Sequence, residues 1–318
     1  MALSLAERIE KLSAQIQPIA AEDEMPEAAR KVLLAELVRV FKHEEGSRTG
    51  EDIEDVHDMR VATRRIRSIF RLLGPYFKQS AIRPYTDELR GLARALGEVR
   101  DLDVLIEDIG AFQAALKANK RAGLQPALDA LDQQRQVARQ ALIEVLDSRA
   151  YRRFVKDFSK FLTSSGEGVK SPDGVGVVPS QVRHVLPGMI HQRLAAVLAY
   201  DVVIHEADAV TLHALRIEFK RLRYTISLFD DVLGTTISDF ISVVKDVQDC
   251  LGHMNDAATA RARLHSLLDE ALIESLAGYI KSLDDKETEA RANFDQLWTN
   301  FNSRKIQQKL SNALLSLR

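Results

Sequence analysis

The chain has 318 residues, of which 46% are hydrophobic and 28% charged, as expected for a folded protein with a large core. Its 44 basic and 46 acidic residues give a formal net charge of −2, so the overall charge provides no general attraction for a polyanion. The single cysteine excludes an internal disulfide, and no apolar run reaches the roughly 18–20 residues that a membrane span needs.

Helical periodicity dominates the first half of the chain, and no convincing strand alternation is present. Pro26, which follows acidic residues, is typical of a first helical turn and leads into a predicted helix over residues 31–43. Residues 50–52 open the next helix, which ends at Gly74-Pro75. Further helices are predicted over residues 82–110, 126–147 and 148–163.

A segment rich in Gly, Ser and Pro follows and is predicted to be a linker over residues 164–179. Beyond it we predict helices over residues 180–199, up to Gly234, from 238 to about 263, and about two more before residue 318. The sequence therefore predicts an all-α fold. Its predicted parts are an N-terminal helical extension at residues 1–25, a first bundle at 26–163 and a second bundle at 180–318.

The most informative feature of the sequence is a basic segment that occurs twice, at residues 57–67 and 213–223. Both copies read His-x-x-basic-apolar-x-x-basic-basic-apolar-Arg, and their first residues, His57 and His213, are 156 positions apart. A Leu-Gly pair recurs at Leu96 and Leu251, 155 positions apart. Two landmarks with nearly the same offset indicate a duplicated unit.

Each copy is predicted to form an amphipathic helix with a cationic face. The first basic stripe consists of His57, Arg60, Arg64, Arg67 and Arg71, with Arg65 beside it. The opposite, apolar face contains Met59, Ala62, Ile66, Ile69, Phe70 and Leu73. The second basic stripe consists of His213, Arg216, Lys220 and Arg223, and its apolar face contains Leu215, Leu222, Ile226 and Phe229.

Like charges four residues apart on a helix repel by a few tenths of a kcal/mol, so something is expected to compensate these stripes. Internal carboxylates are one source, and Asp101, Asp103 and Asp256 are the candidates. A bound anion is the other, and the planar guanidinium of arginine is suited to phosphate oxygens. Because the stripe is repeated, we interpret the two copies as half-sites for one polyanion. The alternative is a scaffold whose arginines serve only internal salt bridges.

These motifs resemble those of the CHAD domain, the conserved histidine α-helical domain, over about residues 28–290. The resemblance rests on His57-x-x-Arg60, Leu96-Gly97-x-x-Arg100-Asp101, His213-x-x-Arg216 and Gln248-Asp249-x-Leu251-Gly252-x-x-Asn255-Asp256, each with its neighbours. It implies two four-helix bundles with internal pseudo-twofold symmetry and a basic central cavity. It also implies binding of inorganic polyphosphate, here by a stand-alone member of the family.

Position by position, the resemblance assigns polyphosphate binding to His57, Arg60, Arg64, Arg65, Arg67, His213, Arg216, Lys220, Arg221 and Arg223. The repeat offset pairs Arg90 with Lys245 and adds them as second-tier ligands. No catalytic residue, metal ligand or cofactor is predicted. We expect a cytoplasmic protein that does not bind a membrane and that associates with polyphosphate granules.

Other functions remain as alternatives. An enzyme acting on phosphoanhydrides would use His57 and His213 in acid–base roles, and His57-Asp58 is superficially similar to the His-Asp pair of a metal-dependent phosphohydrolase. That alternative is disfavoured because the second copy has Ala214 after its histidine and because the stripes would repel a metal ion. An inositol phosphate is another possible ligand. A nucleic-acid binder would need aromatic residues within the stripes, which contain none.

Overall fold

The computed structural model describes residues 4–171 and 179–317. Throughout these ranges the chain forms α-helices joined by short turns, with no β-strand, and an isolated β-bridge pairs Phe77 with Val169. The predicted all-α fold class is therefore confirmed. None of the helices in the described ranges is long and apolar enough to cross a bilayer.

Fifteen α-helices lie in the described part of the chain. In order they are α1 (Leu5–Ser13), α2 (Met25–Lys42), α3 (Glu44–Thr49), α4 (Ile53–Leu73), α5 (Gln79–Ala115), α6 (Ala118–Arg121), α7 (Gln125–Asp147), α8 (Arg149–Thr163), α9 (Val182–Leu198), α10 (Ala209–Ser227), α11 (Asp230–Leu233), α12 (Ser238–Leu267), α13 (Glu270–Ser275), α14 (Ala277–Phe301) and α15 (Arg304–Leu315).

The chain divides into two compact units. The first unit comprises residues up to 19, 23–115 and 128–180, and the second comprises 20–22, 116–127 and the residues from 181 onwards. The segment 116–127 thus groups with the second unit, although the sequence places it inside the first bundle. The predicted bundle boundaries and the pseudo-twofold symmetry stay predictions.

Helix α4 is the centre of the first unit and packs against both α2 and α5. It begins where Gly50 ends α3 with a φ of 66°, a left-handed conformation that glycine adopts at low cost. Asp52 then caps α4 by accepting a hydrogen bond from the backbone N–H of Glu54 at 2.9 Å. The predicted apolar face of α4 is buried, and Met59 and Ile66 are fully inaccessible.

Helix α10 has the same place in the second unit, where it packs against α9 and α12. Asp208 caps it and accepts a hydrogen bond from the backbone N–H of Thr211 at 2.8 Å. The two capping aspartates, Asp52 and Asp208, are 156 positions apart, so the helix start belongs to the repeat. Leu215 and Leu222 are fully buried, as predicted from the apolar face.

The predicted linker begins as an ordered turn packed on the first unit. The buried guanidinium of Arg30 donates hydrogen bonds to the carbonyls of Phe161 and Glu167 and stacks on the Phe161 ring at 4.6 Å. Gly168 has a φ of 71°, and a Cβ there would lie 2.8 Å from Ala81. These contacts fix residues 164–170, whereas residues 172–178 of the predicted linker lie outside the described ranges.

Aromatic side chains of α8 form part of the core of the first unit. Phe158 is fully buried, and its ring centroid lies 5.8 Å from Phe70, 4.9 Å from Tyr85 and 5.4 Å from Phe154. Such ring pairs stabilise a core beyond the area that they bury. Helix α8 is thereby attached to α4 and α5.

We predict that Phe158→Ala lowers the free energy of unfolding by about 3–5 kcal/mol, because it removes a buried ring and leaves a cavity. Urea unfolding followed by far-UV circular dichroism measures this loss. The control is Val137→Ala on α7, where the side chain is 72% exposed and the expected change is within about 0.5 kcal/mol. Equal effects of the two substitutions would contradict the assignment of Phe158 to the core.

Cys250 of α12 is buried, as the sequence predicts for a structural thiol. Its Sγ donates to the backbone carbonyl of Ala290 at 3.1 Å, and burial raises its pKa to about 11. The folded state therefore favours the protonated thiol, which is neither a nucleophile nor a metal ligand.

We predict that a thiol reagent modifies the native protein far more slowly than the urea-unfolded chain.

The raised pKa adds a contribution to stability that is complete below the unfolded pKa of about 9 and is lost as the pH rises towards 11. Unfolding curves at several pH values measure this loss, and Cys250→Ala is the matched control because it has no thiol to titrate. A wild type and a variant with the same pH profile would refute the assignment.

Candidate anion-binding site

The first basic stripe lies along the face of α4 opposite the buried one. Arg64 and Arg71 are exposed, while His57, Arg60 and Arg67 are partly exposed. The stripe is available to solvent because α2 and α5 pack against the apolar side of the helix. The sequence thus predicts correctly which side chains of α4 face outwards.

An aspartate from α5 holds the first arginine of this stripe. The Nη2 atom of Arg60 donates to Oδ1 of Asp101 at 3.3 Å. Gly97 of the Leu-Gly motif, one turn earlier on α5, lies beside the guanidinium: a Cβ atom there would be 3.9 Å from Nε of Arg60, an ordinary van der Waals contact. Both partners are partly exposed, and such a pair contributes only about 0–1 kcal/mol to stability.

The second unit repeats this pair. Arg216 of α10 approaches Asp256 of α12 with an Nη2–Oδ1 distance of 3.6 Å. The two arginines are 156 positions apart and the two aspartates 155, so the duplication has kept the cation and its carboxylate together. Each guanidinium keeps most of its donors for another acceptor, because the carboxylate occupies a single nitrogen.

Asp103, the third acid proposed as a partner of the stripe, serves another role. It is buried, and its Oδ1 lies 3.6 Å from Nη1 of Arg135 on α7. Burial raises the pKa of its carboxyl group, against the opposing charges of Arg135, Arg100 and Arg139. Asp103 therefore links α5 to α7 instead of neutralising the first basic stripe.

Positive charge accumulates further along α4. The pKa of Arg67 is lowered by burial first, and then by the charges of Arg71 and Arg90. The charge of Arg90 on α5 therefore acts on the first basic stripe. Its role as a second-tier ligand stays a prediction. Arg90 also has a carboxylate neighbour, since its Nη1 donates to Oδ1 of Asp87 at 3.0 Å.

Two predicted residues are engaged by internal acids. The Nη1 atom of Arg65 donates to Oε1 of Glu36 on α2 at 2.9 Å, and Glu36 also lies 3.6 Å from Arg39. Arg221 forms an ion pair with Glu218 one turn earlier on α10. At these two positions the contacts are those that the internal salt-bridge alternative predicts. Sequence reasoning did not identify either glutamate as a partner.

The remaining predicted residues of the second unit lie on α10 and α12. Lys220 and Arg223 are partly exposed on α10, in line with Arg216, and Lys245 is exposed on α12. Because α10 packs against α12, the second unit repeats the arrangement of a basic helix beside the helix that supplies its aspartate.

The two histidines differ in their surroundings. Nδ1 of His213 lies 2.7 Å from Oδ1 of Asn255, whose Nδ2 donates to Oγ1 of Thr259 at 3.0 Å. Since the amide nitrogen is used for Thr259, its oxygen is the acceptor, and Nδ1 of His213 carries the proton. In the first unit, Nδ1 of His57 is buried and has no hydrogen-bond partner among the described residues.

Nothing in the described ranges places three or more His, Cys, Asp or Glu side chains together as a metal site would. The histidines of the two basic stripes lie beside arginines and lysines on α4 and α10. An arrangement of this kind binds oxygen atoms of an anion through N–H donors, with the charge of the guanidinium groups adding to each hydrogen bond.

Three comparisons place the chain among known proteins. The model of the CHAD domain matches residues 31–265. Two uncharacterized proteins of Mycobacterium tuberculosis strains are each 26% identical over 226 residues, which is 70% of this chain and 42% of the relative. The chain thus spans about two fifths of the length of the curated relatives it matches.

Two solved structures share the fold. The crystal structure of the CHAD domain from the plant Ricinus communis has a TM-score of 0.64 and 21% identity, with 96% of both chains covered. PptA from Streptomyces chartreusis has a TM-score of 0.61 and 16% identity, with 87% of this chain and 99% of that chain covered.

We predict that neutral His213 is protonated at Nδ1, the minor form of free imidazole, because Oδ1 of Asn255 accepts a hydrogen bond from Nδ1–H. Long-range ¹H–¹⁵N correlation spectra distinguish the two forms. Replacing Asn255 by Ala should shift His213 towards the Nε2-protonated form, whereas His57 should keep its spectrum. An Nε2-protonated His213 in the wild type would refute the hydrogen bond.

Proposed function

The chain belongs to the CHAD-domain family, a family associated with polyphosphate, and on this basis we propose that it binds inorganic polyphosphate through its two basic stripes. The observation that carries the proposal is the repetition of the same arrangement in both units. In each unit a helix presents an arginine stripe, and the neighbouring helix holds its first arginine with an aspartate, as Arg60–Asp101 and Arg216–Asp256 do.

Polyphosphate is a flexible chain with about one negative charge per phosphate and no bases to be read. Its recognition therefore depends on charge and on donors to the non-bridging oxygens, as do protein contacts with a nucleic-acid backbone. Arg60, Arg67 and Arg71 supply such donors along α4, about two turns and then one turn apart, so one polyphosphate chain can contact several arginines. A longer ligand then gains from multivalency.

Charge repulsion around Arg67 is a cost in stability that a bound anion would relieve. Arg67, Arg71 and Arg90 lie close enough for their charges to lower the pKa of Arg67. A bound phosphate would replace this repulsion with attraction, and it would compete with Asp101 for Arg60. Because the Arg60–Asp101 pair is exposed and weak, displacing the carboxylate costs little.

The stripes themselves favour an inorganic polyanion over single-stranded nucleic acid. Binding of bases requires aromatic side chains beside the cations. The basic stripes contain no aromatic residue, and Phe70 and Phe219 of the stripe helices lie in the core, while Tyr224 of α10 is partly exposed. The CHAD domain is not a known enzyme class, and the proposal assigns no catalytic step to the histidines.

We predict that long-chain polyphosphate binds the full chain and that its affinity falls steeply with salt, because binding releases counterions. In Arg60→Ala/Arg216→Ala the affinity should fall by about 10- to 100-fold for each charge-assisted contact that is lost. Titration calorimetry at two salt concentrations measures both effects.

The matched control is Arg153→Ala/Arg304→Ala, which removes one exposed arginine from each unit outside the stripes. It should bind nearly as the wild type does. Equal losses in both double variants would mean unspecific charge attraction and would overturn the proposal, as would a wild type that does not bind. Magnesium-dependent release of orthophosphate from the ligand would favour the enzyme alternative instead.

A further inference from the structure

Helix α5 carries an exposed arginine that neither basic stripe includes. Arg94 lies four residues after Arg90 and three residues before Gly97. At about 100° per residue, these three positions and Asp101 fall within about 60° of one another around the helix. Arg94 therefore belongs to the face of α5 that also carries Arg90, Gly97 and Asp101.

This face of α5 is turned towards the first basic stripe. Near its C-terminal end, Oδ1 of Asp101 accepts a hydrogen bond from Arg60 of α4 at 3.3 Å. Nearer its N-terminal end, the pKa of Arg67 is lowered by burial first and then by neighbouring charges that include Arg90. Helices α4 and α5 therefore run antiparallel, and Arg94 lies between these two points, beside the middle of the stripe.

Arg94 has no acid partner among the described residues. It forms neither an ion pair nor a hydrogen bond with a carboxylate there, and Glu98, one turn later on α5, is no exception. Arg60 and Arg90, by contrast, each lie beside an aspartate. The guanidinium of Arg94 therefore keeps all five of its N–H donors for an anion.

The second unit has the opposite charge at the corresponding position. At the repeat offset, Arg94 corresponds to Asp249 of α12, which is also exposed. Arg71, the last arginine of the first basic stripe, corresponds to Ser227 of α10. These two exchanges together remove three positive charges from the second half-site, so the duplicated arrangement is not equally cationic in its two copies.

We propose that Arg94 is a further polyphosphate ligand and that its exchange for Asp249 makes the half-sites unequal, with the first binding phosphate more tightly. This inference rests on the proposed function and assigns a different strength to each half-site. Arg94 would donate to non-bridging oxygens from α5 while the stripe donates from α4, so the ligand would lie along both helices. In the second unit, Asp249 would repel the same oxygens.

Exchanging Arg94 for the residue of the second copy tests its role. Arg94→Asp should weaken binding of long-chain polyphosphate at least about tenfold, because repulsion replaces a charge-assisted contact. Calorimetric titration of the full 318-residue chain measures this at about 0.15 M salt, where exposed charges more than about 8 Å apart are largely screened. The matched control is Arg153→Asp, the same charge change at an exposed position of α8 outside the stripes. Equal losses in the two variants would overturn the role of Arg94.

The reverse exchange tests the inequality, and damage to the fold cannot produce its expected result. Asp249→Arg gives the second half-site the residue of the first and should strengthen binding at least about threefold. Asp285→Arg makes the same charge change at an exposed position of α14 and should change the affinity less. An Asp249→Arg variant that binds no more tightly than the Asp285→Arg variant would overturn the unequal half-sites.

The outcomes also separate this inference from the proposed function. A wild type that does not bind polyphosphate overturns both. A loss of affinity in Arg60→Ala/Arg216→Ala without a loss in Arg94→Asp supports the proposed function and overturns the role of Arg94. Circular dichroism confirms that each variant is folded, so that a loss of affinity reports on the site.

Discussion

The burial of one face of α4 is the constraint on which the basic stripe depends. Met59, Ala62 and Ile66 are inaccessible between α2 and α5. Burying a large aliphatic side chain stabilises a fold by about 1.5–3 kcal/mol, whereas each like-charge neighbour on a helix costs only a few tenths. Apolar burial therefore outweighs the repulsion among the arginines and allows one helix to carry a cationic face. The same balance holds for α10, with Leu215 and Leu222 in its core.

Placement of the acids decides where the positive charge remains. Each of the long helices α5 and α12 brings one aspartate to the first arginine of a stripe, while Glu36 and Glu218 take the flanking arginines Arg65 and Arg221. Further along α4, burial and the charges of Arg71 and Arg90 lower the pKa of Arg67. A chain with a net charge of −2 thus carries a local cationic surface, because its acids are distributed unevenly. Net charge alone would have argued against this surface.

Local patterns in the sequence predict the helices and their buried faces, but they miss contacts between residues that are far apart in the chain. The helix start at residues 50–52, the buried faces and the candidate partners Asp101 and Asp256 follow from local signals and periodicity. The start of α10 at Asp208 is seen only in the structure. The pairing of Asp103 with Arg135 does not follow from local signals, because it depends on how α7 lies beside α5. The Gly- and Ser-rich segment at 164–170 is likewise predicted as linker, since no local signal shows that Arg30 donates a hydrogen bond to the carbonyl of Glu167.

The histidines show how the two copies have diverged. At the repeat offset, Asn255 corresponds to Arg100. The guanidinium of Arg100 has donors only and cannot accept a hydrogen bond from a ring N–H. His213 is therefore held through Nδ1 and, when neutral, presents the lone pair of Nε2, which repels a phosphate oxygen. It can donate to an anion from Nε2 only after protonation, whereas Nδ1 of His57 is not held by any such acceptor. Two half-sites that share the pairs Arg60–Asp101 and Arg216–Asp256 thus contain histidines with different hydrogen-bonding states.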